Sequence, residues 1–267
     1  MPERFDADWL DRRRAADHVA REHGLERLLA DWAGERLPLG VLDLGAGSGS
    51  NAAFLAPRLP RPQHWRLLDH DAGLVSAAVN ELQTIPGVTA EAVIADLSAL
   101  PEEALGRADI VTAAALLDLV SAAWLDELIA SAVHYRLGML FALTYTGDIR
   151  WQPRLDDDGC VREAFNAHQR GDKGFGAALG PDGAAAAAAT AARYGCRVVR
   201  RPSPWRLGPR DSALQTQLLD GYKTAATEQV PERADAVADW AVARQARIRR
   251  GESRLWVGHE DVLALPP

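Results

Sequence analysis

Leu39-Gly40-Val41-Leu42-Asp43-Leu44 is an apolar run of strand length, and it passes without a linker into Gly45-Ala46-Gly47-Ser48-Gly49. Ser50 or Asn51 then stands where a helix cap belongs. A strand, a glycine-rich turn and a helix in that order present the helix's first N–H groups at the end of the strand. Glycine lets a ligand come close to that backbone. A unit of this kind finds its partner strands through crossover helices, so it commits the chain to an α/β sheet.

Strand and helix signals alternate downstream. Residues 65–69, 88–95, 108–113 and 138–145 read as strands, while 71–82 and a segment capped near Ser121 and ending about His134 read as helices. Five strands joined by right-handed crossovers make a parallel sheet covered on both faces. Upstream, residues 6–32 predict one or two amphipathic helices with Trp9, Leu10, Val19, Leu25, Leu28 and Leu29 on the apolar side. Beyond the fifth strand, 146–183 is rich in Gly, Asp and Pro, with a turn at 156–159 and a short helix at 161–170. An Ala-rich helix at 184–194, a strand at 196–201, helices at 212–228 and 232–250 and a last strand at 254–259 complete the chain. Ser212 and Gln215 read as a capping box for the first of those two late helices.

Composition removes several functional classes. The chain has 267 residues, 48% hydrophobic and 25% charged, which suits one large domain or one domain with an insert. Its 37 acidic and 30 basic residues give a net charge of −7, which argues against nucleic acid or anionic membrane as the partner. Lys occurs only at Lys173 and Lys223. Cys160 and Cys196 are too few for a disulfide framework and fit a reducing compartment. The first 14 residues are charged where a signal peptide is apolar, and uncharged runs fall short of a membrane span. The expected location is therefore cytoplasmic. No Cys/His cluster has zinc spacing, and Arg154 and Phe165 occupy what would be ligand positions of a calcium loop, so no metal is expected.

The glycine spacing is G-x-G-x-G, with Ser50 where a nicotinamide fingerprint has its third Gly and with Asp43 preceding it. At these residues the chain resembles the class I S-adenosylmethionine-dependent methyltransferases, whose first motif is acid-x-G-x-G-x-G. Three further features fall in that family's order: Leu68-Asp69-His70-Asp71, Ala95-Asp96-Leu97 and Ala108-Asp109-Ile110-Val111. The resemblance is close over residues 39–145. More narrowly, Trp9-Leu10, Arg13, Asp17 and Arg21, with the 168–176 segment, look similar to poorly characterised bacterial members.

The resemblance implies a doubly wound, Rossmann-like seven-stranded α/β sheet with its last strand antiparallel, plus N-terminal helices and a helical cap. It implies S-adenosylmethionine as cofactor, with S-adenosylhomocysteine as product. Asp43, Gly45, Ala46, Gly47, Asn51, His70, Leu97 and Ala113 become cofactor contacts, Asp69 an acceptor for the ribose hydroxyls and Asp96 a neighbour of adenine. Asp43 either touches the cofactor or organises the loop's N–H groups. Arg13 either reaches the cofactor's carboxylate or stands on an exposed helix face.

Residues 1–38 then make a helical extension and 39–267 the cofactor-binding domain, with cap elements around 146–183 and 208–252. About 50 residues separate Arg201 from Arg254, where the common fold has a short turn. They are expected to cover an acceptor pocket, presenting Trp205, Arg206, Tyr222 and Trp240, or else to form an oligomer interface. Tyr145, Asp148 and His168 are the catalytic candidates, and with Lys173, Trp205 and Arg206 the acceptor-binding ones; for His168 and Lys173 a solvated loop is the other reading. Neither an Asn/Asp-Pro-Pro-Tyr/Phe nor a Pro-Cys motif is present. The expected function is methyl transfer to an oxygen or nitrogen of a small molecule by a monomer or homodimer. The alternatives are a non-catalytic cofactor-binding protein and an enzyme using S-adenosylmethionine without methyl transfer.

Overall fold

β1 (Leu39–Leu44) is buried along its whole length. Leu39 and Val41 enter one apolar cluster and Leu42 and Leu44 another, as alternation across a central strand requires. The computed structural model describes residues 7–21, 23–34, 36–99 and 102–267. Around β1 stand β2 (Gln63–Asp69), β3 (Val88–Ile94), β4 (Ile110–Ala114), β5 (Gly138–Gln152), β6 (Arg197–Pro202), β7 (Trp205–Leu207) and β8 (Arg254–Leu265). The order is β3-β2-β1-β4-β5-β8-β6, and β7 pairs with β8. β1 to β5 are parallel, and β8 runs antiparallel to both β5 and β6. The doubly wound sheet with an antiparallel last strand is thus present.

The helices are α1 (Ala7–Ala20), α2 (His23–Ala33), α3 (Ser50–Leu55), α4 (Ala72–Leu82), α5 (Glu102–Leu105), α6 (Ala122–His134), α7 (Asp158–Gln169), α8 (Gly183–Arg193), α9 (Ser212–Gln229) and α10 (Ala234–Arg249). α2, α3 and α4 pack on one face of the sheet, α6 and α8 on the other. Asp71 caps α4 by accepting from the amides of Gly73 and Leu74 at 2.9 and 3.1 Å, and Ser121 caps α6 through the amide of Trp124.

Two expectations need correction. An eighth strand, β7, lies between Pro202 and α9, where the seven-stranded expectation had none. The 146–183 block also begins as strand rather than loop, because β5 continues to Gln152. Its register with β8 shifts between Phe141 and Thr144 and again between Tyr145 and Ile149. Bulges therefore absorb the Thr146-Gly147-Asp148 segment. At the first bulge the Leu143 amide donates to the buried Asp261 carboxylate at 2.7 Å, and the Ser203 hydroxyl donates to the same oxygen at 2.6 Å.

The outer half of β5, β7 and the start of β8 make an antiparallel ribbon with its own core. Trp151, Trp205, Leu207, Leu255 and Val257 pack there against Leu219 and Tyr222 of α9 and Val237 and Trp240 of α10. Arg244 is wholly buried in this region, ion-paired to Asp158 and donating to the Pro153 carbonyl at 2.6 Å. Trp240 Nε1 donates to the same carboxylate at 2.8 Å. The capping box placed at Ser212 is not formed: Ser212 is already helical. Instead Gln215 Nε2 donates to the Gly208 carbonyl at 2.6 Å and the Gly208 amide donates to Asp211 at 2.7 Å.

Candidate functional site

The C-terminal ends of β1, β2, β3 and β4 open onto one cleft, the place where open α/β sheets bind ligands. Its empty volume is about 980 Å³, counting the mouth open to solvent. Gly45, Gly47, Asp69, His70, Asp96, Leu97, Arg13 and Lys173 line it, all but Lys173 expected at the cofactor. A smaller adjoining cavity shares Arg13, Gly45 and Gly47 and adds Ala46 and Asn51.

The turn after β1 is built for close approach. Gly45 and Gly47 have φ of +64° and +51°. A Cβ at Gly45 would stand 3.6 Å from Leu97 Cδ1 and 3.7 Å from Leu116 Cδ1, and one at Gly47 would stand 3.4 Å from Leu10 Cδ1. Side chains there would fill the cleft, so the glycines keep a cradle open. The Gly47 amide donates to Asp69 Oδ2 at 2.9 Å and the Asp71 amide to Asp69 Oδ1 at 3.0 Å. A carboxylate with one donor on each oxygen retains lone pairs for hydroxyl donors. His70 Nδ1 lies 3.1 Å from the same Oδ1. Asp96 Oδ1 accepts from the Ser98 amide at 2.8 Å, the hydrogen bond that chiefly holds its carboxyl below the usual range.

Asp43 lies behind the turn, wholly buried. Asn51 Nδ2 donates to Asp43 Oδ1 at 2.7 Å, and Asn51 Oδ1 accepts from Arg21 Nη1 at 2.7 Å. This network joins the residue that follows α1 to α3 and β1 through side chains. Burial pushes the Asp43 carboxyl up to about 7, against the opposing pull of Asn51 and Arg21. Ala113 is buried within β4, while Ala114, the last residue of that strand, and Ala115 after it line the cleft. Ala115 has φ of +52°, uncommon for a residue with a side chain.

Arg13 is held rather than solvated. Asp17 accepts from its Nε at 2.9 Å and its Nη2 at 3.3 Å, and Trp205 Nε1 donates to Asp17 at 3.0 Å. Trp205 is thereby packed under α1, in the ribbon's core rather than in the cleft. Tyr222 and Trp240 share that core. The Tyr145 hydroxyl donates to Asn166 Oδ1 at 2.7 Å, and burial raises its pKa above the ordinary phenol value. Asp148 pairs with Arg150, and Arg206 stacks 4.7 Å from the Trp256 ring centroid on the ribbon's outer face. None of Tyr145, Asp148, Trp205 and Arg206 is among the residues lining the cleft. His168 stands one layer behind it, with Nδ1 3.4 Å from Lys173 Nζ.

Sequence reasoning passed over Leu74, Leu116, Leu119 and Phe175, which supply the apolar wall. Their side chains carry no chemical signature. Leu10 was counted as a core-facing helix position, and it faces the cleft.

Comparison with known proteins agrees with this geometry. Residues 41–135 match the family described as Methyltransferase domain. The YcgJ protein of Bacillus subtilis is similar in structure at 14% identity, over 92% of this chain and 100% of that one, with a TM-score of 0.50. The structure of the BH2331 protein of Bacillus halodurans is similar at 13% identity, over 91% of this chain and 99% of that one, also at 0.50. Geranyl diphosphate methyltransferase, in complex with GPP and sinefungin, aligns at 13% identity over 92% of this chain and 79% of that one, with a TM-score of 0.49. No curated protein sequence matches the chain. Residues 41–135 are therefore similar to a methyltransferase domain, the family that the glycine-rich motif resembles.

Proposed function

We propose that the cleft at the ends of β1 to β4 holds S-adenosylmethionine and that the protein methylates an oxygen or nitrogen of a small molecule. The carrying observation is Asp69, whose two oxygens are each engaged by one amide and face a cleft floored by Gly45 and Gly47. Asp69 would take the ribose hydroxyls, Asp96 and Leu97 the adenine, and Arg13 the carboxylate. Ala46 and Asn51 border the adjoining cavity next to Arg13.

When bound, the cofactor supplies a methyl already activated on a sulfonium. The chain's own work is to align an acceptor behind that methyl and to keep water away. Leu10, Leu116, Leu119 and Phe175 serve the second purpose. A hydroxyl acceptor needs a base near its proton, whereas a neutral amine releases its proton after transfer. Among the catalytic candidates, His168 alone approaches the cleft, through Lys173.

The described residues include no helix long and apolar enough to cross a membrane. Cys160 and Cys196 are both free, which suits a reducing compartment such as the cytoplasm. A crystal structure with S-adenosylhomocysteine tests the reading. It should show Asp69 within hydrogen-bond distance of the ribose hydroxyls; a product molecule seated away from Asp69 overturns it.

A further inference from the structure

Lys173 is one of two lysines in the chain, and it lines the cleft. It sits on a loop fixed by its own hydrogen bonds. The Asp172 carboxylate accepts from the amides of Gly174 and Gly176 at 2.7 and 3.0 Å. Asp172 bridges to Ala177 and Ala178 to Ser121, at the start of α6. Phe175 packs edge-on against Trp124 with ring centroids 5.5 Å apart. The lysine is therefore presented by a braced loop.

Behind it runs a short polar chain. Lys173 Nζ lies 3.4 Å from His168 Nδ1, and His168 Nε2 lies 3.1 Å from Glu228 Oε2. A carboxylate only accepts, so Glu228 selects the tautomer with hydrogen on Nε2. The Nδ1 lone pair then faces Lys173 and takes one of its N–H groups. Two N–H donors remain on the ammonium, and among the described residues it forms no ion pair. Arg13, the other cation of the cleft, is already engaged by Asp17.

The acids of the cleft, Asp69, Asp71 and Asp96, come from the ends of β2 and β3, and the cations from α1 and the braced loop. A free ammonium and a cofactor sulfonium in one cleft repel each other. An anionic group between them turns that repulsion into attraction. The wall nearby is apolar, with Leu10, Leu116, Leu119 and Phe175.

We infer that the acceptor is a small amphipathic anion, an apolar body bearing a carboxylate or phosphate, whose charged group binds Lys173, and that His168 and Glu228 position that lysine. This rests on the cleft being the methyl-transfer site. Glu228 belongs to α9, so the helical insert would act on the site through one side chain without entering it.

Having only two lysines makes the test direct. Full-length protein carrying [13Cε]-lysine gives two signals, assigned with Lys223→Arg. In protein saturated with S-adenosylhomocysteine, benzoate should move the Lys173 signal saturably and leave the Lys223 signal unmoved, while benzamide moves neither. Glu228→Gln should weaken the benzoate response at least threefold and leave the affinity for S-adenosylhomocysteine unchanged. His168→Phe should weaken it as well, and His168→Gln, which keeps an acceptor for Lys173, should recover part of it. Equal responses to benzoate and benzamide, or no benzoate response in cofactor-saturated protein, overturn the anionic acceptor. A Lys173 signal that S-adenosylhomocysteine alone moves, and that benzoate no longer moves, assigns the lysine to the cofactor and also overturns it. Failure of S-adenosylhomocysteine to bind at all defeats the underlying reading of the cleft instead.

Discussion

The backbone amide of Gly47 donates to the carboxylate of Asp69 at 2.9 Å, so the turn after β1 is fixed by the residue that ends β2. One side chain thus shapes the glycine cradle and offers the lone pairs expected at the ribose. Asp69→Ala loses both, and cofactor affinity should fall about ten- to hundredfold, the range for losing charge-assisted hydrogen bonds of ~1.5–3 kcal/mol. Calorimetric titration of the variant with S-adenosylhomocysteine measures this. An unchanged affinity moves the ribose contact elsewhere.

Gly49 opens α3 at φ +78°, and a Cβ there would stand 2.6 Å from the Cβ of Ala78 in α4. Gly49→Ala should cost about 1–3 kcal/mol in urea unfolding, the usual range for overpacking. Adding Ala78→Gly should recover part of the loss, because the backbone strain at residue 49 stays. Wild-type stability in the single variant contradicts the close approach.

Asp43 gives a pH dependence of known sign. Its folded carboxyl titrates at about 7, whereas an unfolded one releases its proton near 4. Its contribution to stability is complete below about pH 4 and is lost as pH rises through 7. Asp43→Asn removes that titration. The stability of the variant relative to wild type should therefore climb between pH 4 and 7, by roughly 4 kcal/mol at most, and level off above. Denaturant unfolding at several pH values checks this, and a constant difference contradicts it.

Arg244 and Asp158 join α10 to α7 inside the ribbon's core. Arg244→Met leaves a buried carboxylate without its partner and should lower stability by about 3–5 kcal/mol. Neither Arg244 nor Asp158 lines the cleft, so affinity for S-adenosylhomocysteine at low temperature should stay within about twofold. A large loss of affinity in folded variant protein would mean that the ribbon and the cleft are coupled.

Much of this was legible in the residues. β1 and the cap of α6 at Ser121 follow from local pattern, because strand and cap chemistry are local, whereas the assembly of Gly45, Gly47, Asp69 and Asp96 follows from the family resemblance. Arg13 and Lys173 were named as candidates, and the structure brings both to the cleft. What escaped depends on distant partners. Thr146-Gly147-Asp148 is turn-like by composition, and only pairing with β8 makes it a bulge. Trp205 looks like a free aromatic until Asp17 of α1, far away in sequence, takes its indole N–H. The apolar wall of Leu116, Leu119 and Phe175 cannot be told from core without the fold.

The measurement that bears most directly on the whole account is calorimetric titration of the wild-type chain with S-adenosylhomocysteine. The account predicts saturable binding at one site per chain, abolished or strongly weakened by Asp69→Ala. No heat of binding at millimolar product, from protein shown to be folded, would contradict it.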